Sequence, residues 1–132
     1  MEKKLAQLYN FMNANGKELG YNHELQQKFQ QISMAFLRAL KKELPFTECK
    51  VSFNPGGIAV SGDAHLMGMF ENGIGLYITI NDSCFSERKL NFLYRTISHM
   101  KDYSGGPNNY MTNEQMQNVN LLMMNIRGLC NV

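Results

Sequence analysis

Apolar positions recur at helical spacing at both ends of the chain and switch to alternation in its middle. Over residues 3–15, Leu5, Leu8 and Met12 predict a first helix, with Gly16 as its stop. After the loop from Gly16 to Tyr21, Asn22 can cap a second helix that runs to about Leu44, and His23 reads as a helix-start residue. Its stripe is the cleanest in the chain: Leu25, Phe29, Ile32, Phe36, Leu40 and Leu44, against Gln26, Gln27, Gln30, Arg38, Lys41 and Lys42. Lys41 and Lys42 oppose the helix dipole in the last turn, and Pro45 ends the element.

From Cys49 to Ile80 the period becomes two. Lys50, Val51, Ser52 and Phe53 alternate, Asn54-Pro55-Gly56-Gly57 is a turn signal, and Ile58 to Phe70 forms one long strand or two short ones interrupted at Gly62-Asp63. Glu71-Asn72-Gly73 marks a hairpin, after which Leu76, Ile78 and Ile80 face one way and Tyr77 and Thr79 the other. Gly62, Gly68 and Gly75 suggest bulges or close backbone approach. Ser86 can cap a third helix with Leu90, Leu93, Tyr94, Ile97 and Met100 as its stripe, ending near Tyr103. Thr112-Asn113-Glu114-Gln115 fits a capping box for a last helix, with Met116, Val119, Leu122, Met123 and Ile126 inward and Gly128 as a stop. The expectation is an α+β fold in one domain over 1–132: a small antiparallel sheet of three to four strands, about 49–80, flanked by two N-terminal and two C-terminal helices.

Length and composition bound this picture. A chain of 132 residues suits one domain, and it buries roughly two-thirds of its unfolded surface without needing disulfides or metal. No run of about 18 apolar residues occurs, so no spanning helix is expected. The charged start at Glu2, Lys3 and Lys4 has no apolar stretch behind it, which does not read as a secretory signal. Cys49, Cys84 and Cys130 are odd in number and far apart; they read as reduced thiols in a cytoplasmic protein, with no metal site and no cofactor expected. Thirteen basic and eleven acidic residues give a net charge of +2, short of the clustered charge of a dedicated nucleic-acid binder. Ten Met and no Trp suit irregular core filling or an adaptable binding surface.

Three groups of residues could carry chemistry. The loop Lys101 to Tyr110 holds Gly105, Gly106, Pro107, Asn108 and Asn109 between Tyr103 and Tyr110, the parts of a recognition loop as much as of a plain connection. Arg88, Asn91, Arg95, His99 and Asp102 fall on one face of the predicted third helix, able to read a carboxylate, a phosphate or a partner's acidic patch. Asp63 and His65 share a side of an extended strand, and Ser83, Cys84 or His99 could complete a nucleophile or metal constellation that nothing in the spacing selects. Phosphate-loop, zincin, nucleophile-elbow, calcium-loop and RNA-recognition signatures are missing, and Gly73-Ile74-Gly75 lacks the rest of a dinucleotide fingerprint.

The favoured reading is a non-catalytic binding or regulatory protein that acts by stoichiometric contact with a macromolecular partner, a protein before a nucleic acid, as an inhibitor or adaptor would. Its candidate binding residues are Arg88, Arg95, His99, Lys101, Tyr103, Asn108, Asn109 and Tyr110. The Asn-, Gln- and Met-rich composition is one met in accessory proteins of phages and mobile elements. Two alternatives stand beside it. A nucleic-acid binder would use Lys41, Lys42, Lys50, Arg88, Lys89, Arg95 and Lys101 with stacking by Tyr103 and Tyr110. A small enzyme or ligand sensor would use Asp63, His65 and His99 in a pocket. Leu121, Leu122, Met123 and Met124 make the last helix apolar on more than one face, which suits the core or a homodimer through that helix.

Overall fold

The computed structural model describes residues 1–15, 22–55, 62–81 and 91–132. Two helices come first, α1 (Glu2–Asn15) and α2 (His23–Glu43). Among the described residues a sheet of five strands follows: β1 (Phe46–Pro55), β2 (Gly62–Phe70), β3 (Gly75–Asn81), β4 (Asn91–Ile97) and the short β5 (Asn109–Tyr110). Then come α3 (Asn113–Gln117) and α4 (Val119–Cys130). The strands lie in chain order, each antiparallel to the next. The fold is α+β, with helices from both ends of the chain beside an antiparallel sheet.

Local chemistry sets most boundaries. Asn22 Oδ1 accepts the Leu25 N–H at 3.1 Å, which opens α2 on its predicted cap. Thr112 and Gln115 form the reciprocal capping box, but the helix it starts is only one turn long. Asn118 then breaks it and caps α4 by accepting the Leu121 N–H. Gly128 does not stop α4: it is helical and exposed, and the left-handed Asn131 ends the helix, its N–H donating to Arg127 O. At the β2–β3 turn, Asn72 Oδ1 accepts the Ile74 N–H and Asn72 Nδ2 donates to Cys130 O, tying the hairpin to the end of α4.

The predicted third helix does not form over its described part, 91–103. Within 86–103 the chain is the strand β4, followed by a turn, and its residues before Asn91 lie outside the described ones. Leu93, Tyr94 and Ile97 fit a helical stripe and a strand equally, but Phe92 and Tyr94 fall on one side and Leu93, Arg95 and Ile97 on the other. The β-favouring run Phe-Leu-Tyr-Arg-Thr-Ile and an available sheet edge decide for the strand. The two C-terminal helices are α3 and α4 instead. Gly16, Gly56, Gly57, Ile58, Val60, Ser83, Cys84, Ser86, Arg88, Lys89 and Leu90 lie outside the described residues.

One face of the sheet makes the core. Ala64, Leu66, Phe70, Leu76, Ile78, Ile80, Phe92 and Tyr94 pack against Leu5, Leu8 and Met12 of α1, Phe29, Phe36, Leu37 and Leu40 of α2, Met116 of α3 and Leu122, Ile126 and Cys130 of α4. A fully buried Leu or Phe contributes about 1.5–3 kcal/mol by transfer from water. Phe46, at a bulge in β1, lies flat on Phe70 at 4.6 Å and covers Gly68, where any Cβ would sit 2.5 Å from its ring. All the described helices contribute to this side, and among the described residues the opposite face of the sheet is left to its own side chains and to the loop after β4. Among the described residues, no helix is long and apolar enough to cross a membrane.

Candidate functional site

Register determines what the second face presents. Cross-strand rows run Lys50–Met67–Tyr77–Arg95, Ser52–His65–Thr79–Leu93–Tyr110 and Asn54–Asp63–Asn81–Asn91. These residues alternate with the core positions, so β1, β2 and β3 bury their apolar half and offer polar and thioether groups on the other side, while β4 adds Leu93 and the buried Arg95 there. Asp63 and His65 do share this side, as their spacing predicted.

After β4 the chain turns back over this face. Asp102 is the centre of that turn: Oδ2 accepts the Ser98 N–H at 2.9 Å and Ser98 Oγ at 3.0 Å, while Oδ1 accepts Ser104 N–H, Ser104 Oγ and Gly105 N–H at 2.8–3.2 Å. These donors, Gly105 and Ser98 foremost, hold its carboxyl well below the usual carboxylate range. Gly106 N–H donates to Thr96 O, and Asn109 Nδ2 to Tyr94 O, so both ends of the loop are fastened to β4.

A groove of about 430 Å³ lies between the loop and the sheet. Its bank on the β1 side consists of Glu48, Lys50, Ser52 and Asn54, alternate residues of an edge strand. Its floor is His65, Met67 and Tyr77, and its far bank is Met100, Lys101 and Tyr103. Tyr103 is 80% exposed, an aromatic ring standing in water at the groove's lip.

The floor is wired. His65 Nδ1 lies 2.9 Å from Tyr77 Oη, and His65 Nε2 lies 3.1 Å from Asn54 Nδ2. An amide nitrogen only donates, so Nε2 accepts and Nδ1–H donates to the phenol. Burial pushes the His65 pKa down against the opposing pull of Asp63, which keeps the ring neutral. A histidine with both nitrogens engaged is a positioned polar group rather than a base waiting for a proton. Desolvation likewise raises the Tyr77 phenol.

Behind this floor lies Arg95. It is 5% exposed, its Cζ is 4.6 Å from the centroid of the Tyr77 ring, and Nη2 donates to Asp102 O at 3.2 Å. A desolvated cation–π contact contributes about 2 kcal/mol.

The sequence-predicted residues divide accordingly. Lys101 and Tyr103 line the groove with His65, and Arg95 lies buried behind it against the Tyr77 ring. His99 is exposed in the turn, where its Nδ1 accepts the Lys101 N–H, and it does not line the groove with Asp63 and His65. The row of Asn91, Arg95, His99 and Asp102 on one helix face is dissolved, because that segment is strand and turn. Asn108 is exposed, Asn109 is used to fasten the loop, and Tyr110 pairs with Leu93 at the far edge of the sheet, three strands or roughly 14 Å from the His65 strand. Lys41 and Lys42 lie on α2, apart from Lys50 and Lys101 at the groove. Arg88 and Cys84 are outside the described residues. Glu48, Ser52, Asn54, Met67 and Tyr77 join the groove through the alternation itself, which puts Lys50-Ser52-Asn54, His65-Met67 and Tyr77-Thr79 on one side, while Met100, expected in a buried helical stripe, lines it from the turn.

On α4, Leu122 is buried, Leu121 and Met123 are half-buried and Met124 is 65% exposed. Among the described residues, no three of His, Cys, Asp and Glu converge as metal ligands. Compared with protein-family models, with curated proteins and with solved structures, the chain matches none.

Proposed function

We propose that this is a non-catalytic binding protein that takes an extended segment of a partner polypeptide into the groove between its open sheet face and the turn after β4, acting as a stoichiometric inhibitor or adaptor. The observation that carries the reading is the make-up of the groove. Met67 and Met100 supply adaptable apolar contact, Tyr77 and Tyr103 flat faces, Ser52 and Asn54 hydrogen-bonding groups, and Glu48, Lys50 and Lys101 charges of both signs. A phosphate backbone would favour banks of one sign; a polypeptide suits mixed ones. The groove also runs beside β1, an edge strand whose alternate residues form its bank, so a segment in extended conformation has matching periodicity.

The test is selection of random displayed peptides on the wild-type protein, with counter-screening on Met67→Glu and on Tyr103→Ala and Tyr110→Ala separately. Selected peptides should lose binding on Met67→Glu and weaken about tenfold or more on Tyr103→Ala, the effect of removing an interface aromatic, while Tyr110→Ala leaves them unchanged. Peptides indifferent to Met67→Glu and Tyr103→Ala, or an empty selection, would refute the reading.

A further inference from the structure

Arg95 carries a charge that its surroundings do not answer. Of its terminal nitrogens, Nη2 donates to a carbonyl oxygen, that of Asp102, whereas Nη1 is buried with no hydrogen-bond partner among the described residues. The carboxylate of Asp102 is turned away, both oxygens being taken by Ser98, Ser104 and Gly105. A buried guanidinium is costly unless its donors meet an acceptor, and an aromatic face with one carbonyl leaves part of that need unmet. Gly105 stands over the free nitrogen so closely that a Cβ there would overlap Nη1. Tyr77, under the guanidinium, is shared with the groove floor, and Asp102, whose carbonyl Arg95 holds, stands in the chain between the groove residues Lys101 and Tyr103.

We propose that Arg95 is the receptor for a carboxylate of the bound polypeptide segment, reached when the turn 98–105 shifts enough to uncover Nη1, with Lys101 as the outer cation that draws the acid in. This rests on the groove being the binding site. The guanidinium fork presents two parallel N–H groups to a carboxylate, a geometry that lysine cannot reproduce. In the unliganded protein the Asp102 carbonyl and the Tyr77 face hold the fork in place.

The probe is N-acetylglutamate, with N-acetylglutamine and inorganic phosphate as parallel arms at constant ionic strength. The readout is the Arg95 Nε–Hε signal and the Gly105 backbone amide in ¹H–¹⁵N spectra of the full chain. N-acetylglutamate should move both signals saturably, with a Kd in the millimolar range expected of one small ion pair. N-acetylglutamine should not. Arg95→Met should weaken the Gly105 response about tenfold or more, and Arg95→Lys, which keeps the charge, should weaken it too; unfolding curves confirm that each variant is folded. Unchanged Gly105 titrations in either variant, or no saturable shift in the wild type, would overturn the assignment. Phosphate binding without N-acetylglutamate binding would also overturn it, in favour of a phosphorylated or nucleic-acid ligand. The two readings fail separately. Peptides selected through Met67 in the absence of an N-acetylglutamate response leave the groove standing and remove the Arg95 site. A response at Arg95 with an empty peptide selection does the reverse.

Discussion

Gly105→Ala should be among the most damaging single-methyl additions in the chain. Gly105 has φ +40, in the left-handed region, where a residue with a Cβ is disfavoured by about 1–2 kcal/mol. The new methyl would also overlap Arg95 Nη1 and lie 2.5 Å from Thr96 O, and overfilling a packed site costs about 1–3 kcal/mol more. The expected loss is therefore about 2–5 kcal/mol, or roughly 1–2 M or more in urea midpoint for a chain of this size. Urea unfolding followed by far-ultraviolet circular dichroism measures it. Part of the cost belongs to the guanidinium, so Arg95→Met should relieve it: the double variant should be more stable than the sum of the singles by about 1 kcal/mol. A loss under about 1 kcal/mol for Gly105→Ala, or strict additivity with Arg95→Met, would refute the packing described for this turn.

Other consequences can be measured alongside. Asp102 has a depressed folded-state pKa, so its stabilisation is complete above the unfolded carboxylate value and is lost as pH falls below about 4; unfolding curves between pH 5 and 2.5 should show this loss, and Asp102→Asn should flatten it. His65 has its pKa lowered from 6.5, so the unfolded chain takes up the proton first and stability should fall as pH drops from about 6.5 through the folded value, a segment His65→Gln removes. Cys49 and Cys130, both pushed up to about 11 by burial, should resist alkylation at pH 8 in the native protein and react in urea, as site-resolved mass spectrometry would show. Ile78→Ala and Leu66→Ala, at fully buried sites shared by sheet and helices, should each cost about 2–5 kcal/mol in the same urea assay.

The parts of the fold that sequence resolves are those where one local rule acts alone. Asn22 caps α2, Asn72-Gly73 turns the β2–β3 hairpin, and Leu76, Ile78 and Ile80 point to the core because a period of two leaves no other choice. Where two periods fit, the sequence is ambiguous. Leu93, Tyr94 and Ile97 satisfy helix and strand alike, and only pairing with β3, a contact between distant segments, decides. The same ambiguity breaks up the predicted polar face: the turn after β4 still brings Asp102 to Arg95, but through its backbone carbonyl, and leaves His99 exposed. The loop itself was legible from its Gly, Asn and Tyr content. Its opposite bank was not, because Glu48, Lys50, Ser52 and Asn54 become a surface only through the β1–β2 register.

The most direct test of the account is chemical-shift mapping of the ¹⁵N-labelled protein against a peptide selected on it. Perturbations gathered on Lys50, Ser52, His65, Met67, Tyr77, Lys101 and Tyr103, with the exposed face of α4 around Met124 silent, are the predicted result. Perturbations centred on α4, or on Asn108 and Tyr110 with the groove silent, would contradict it.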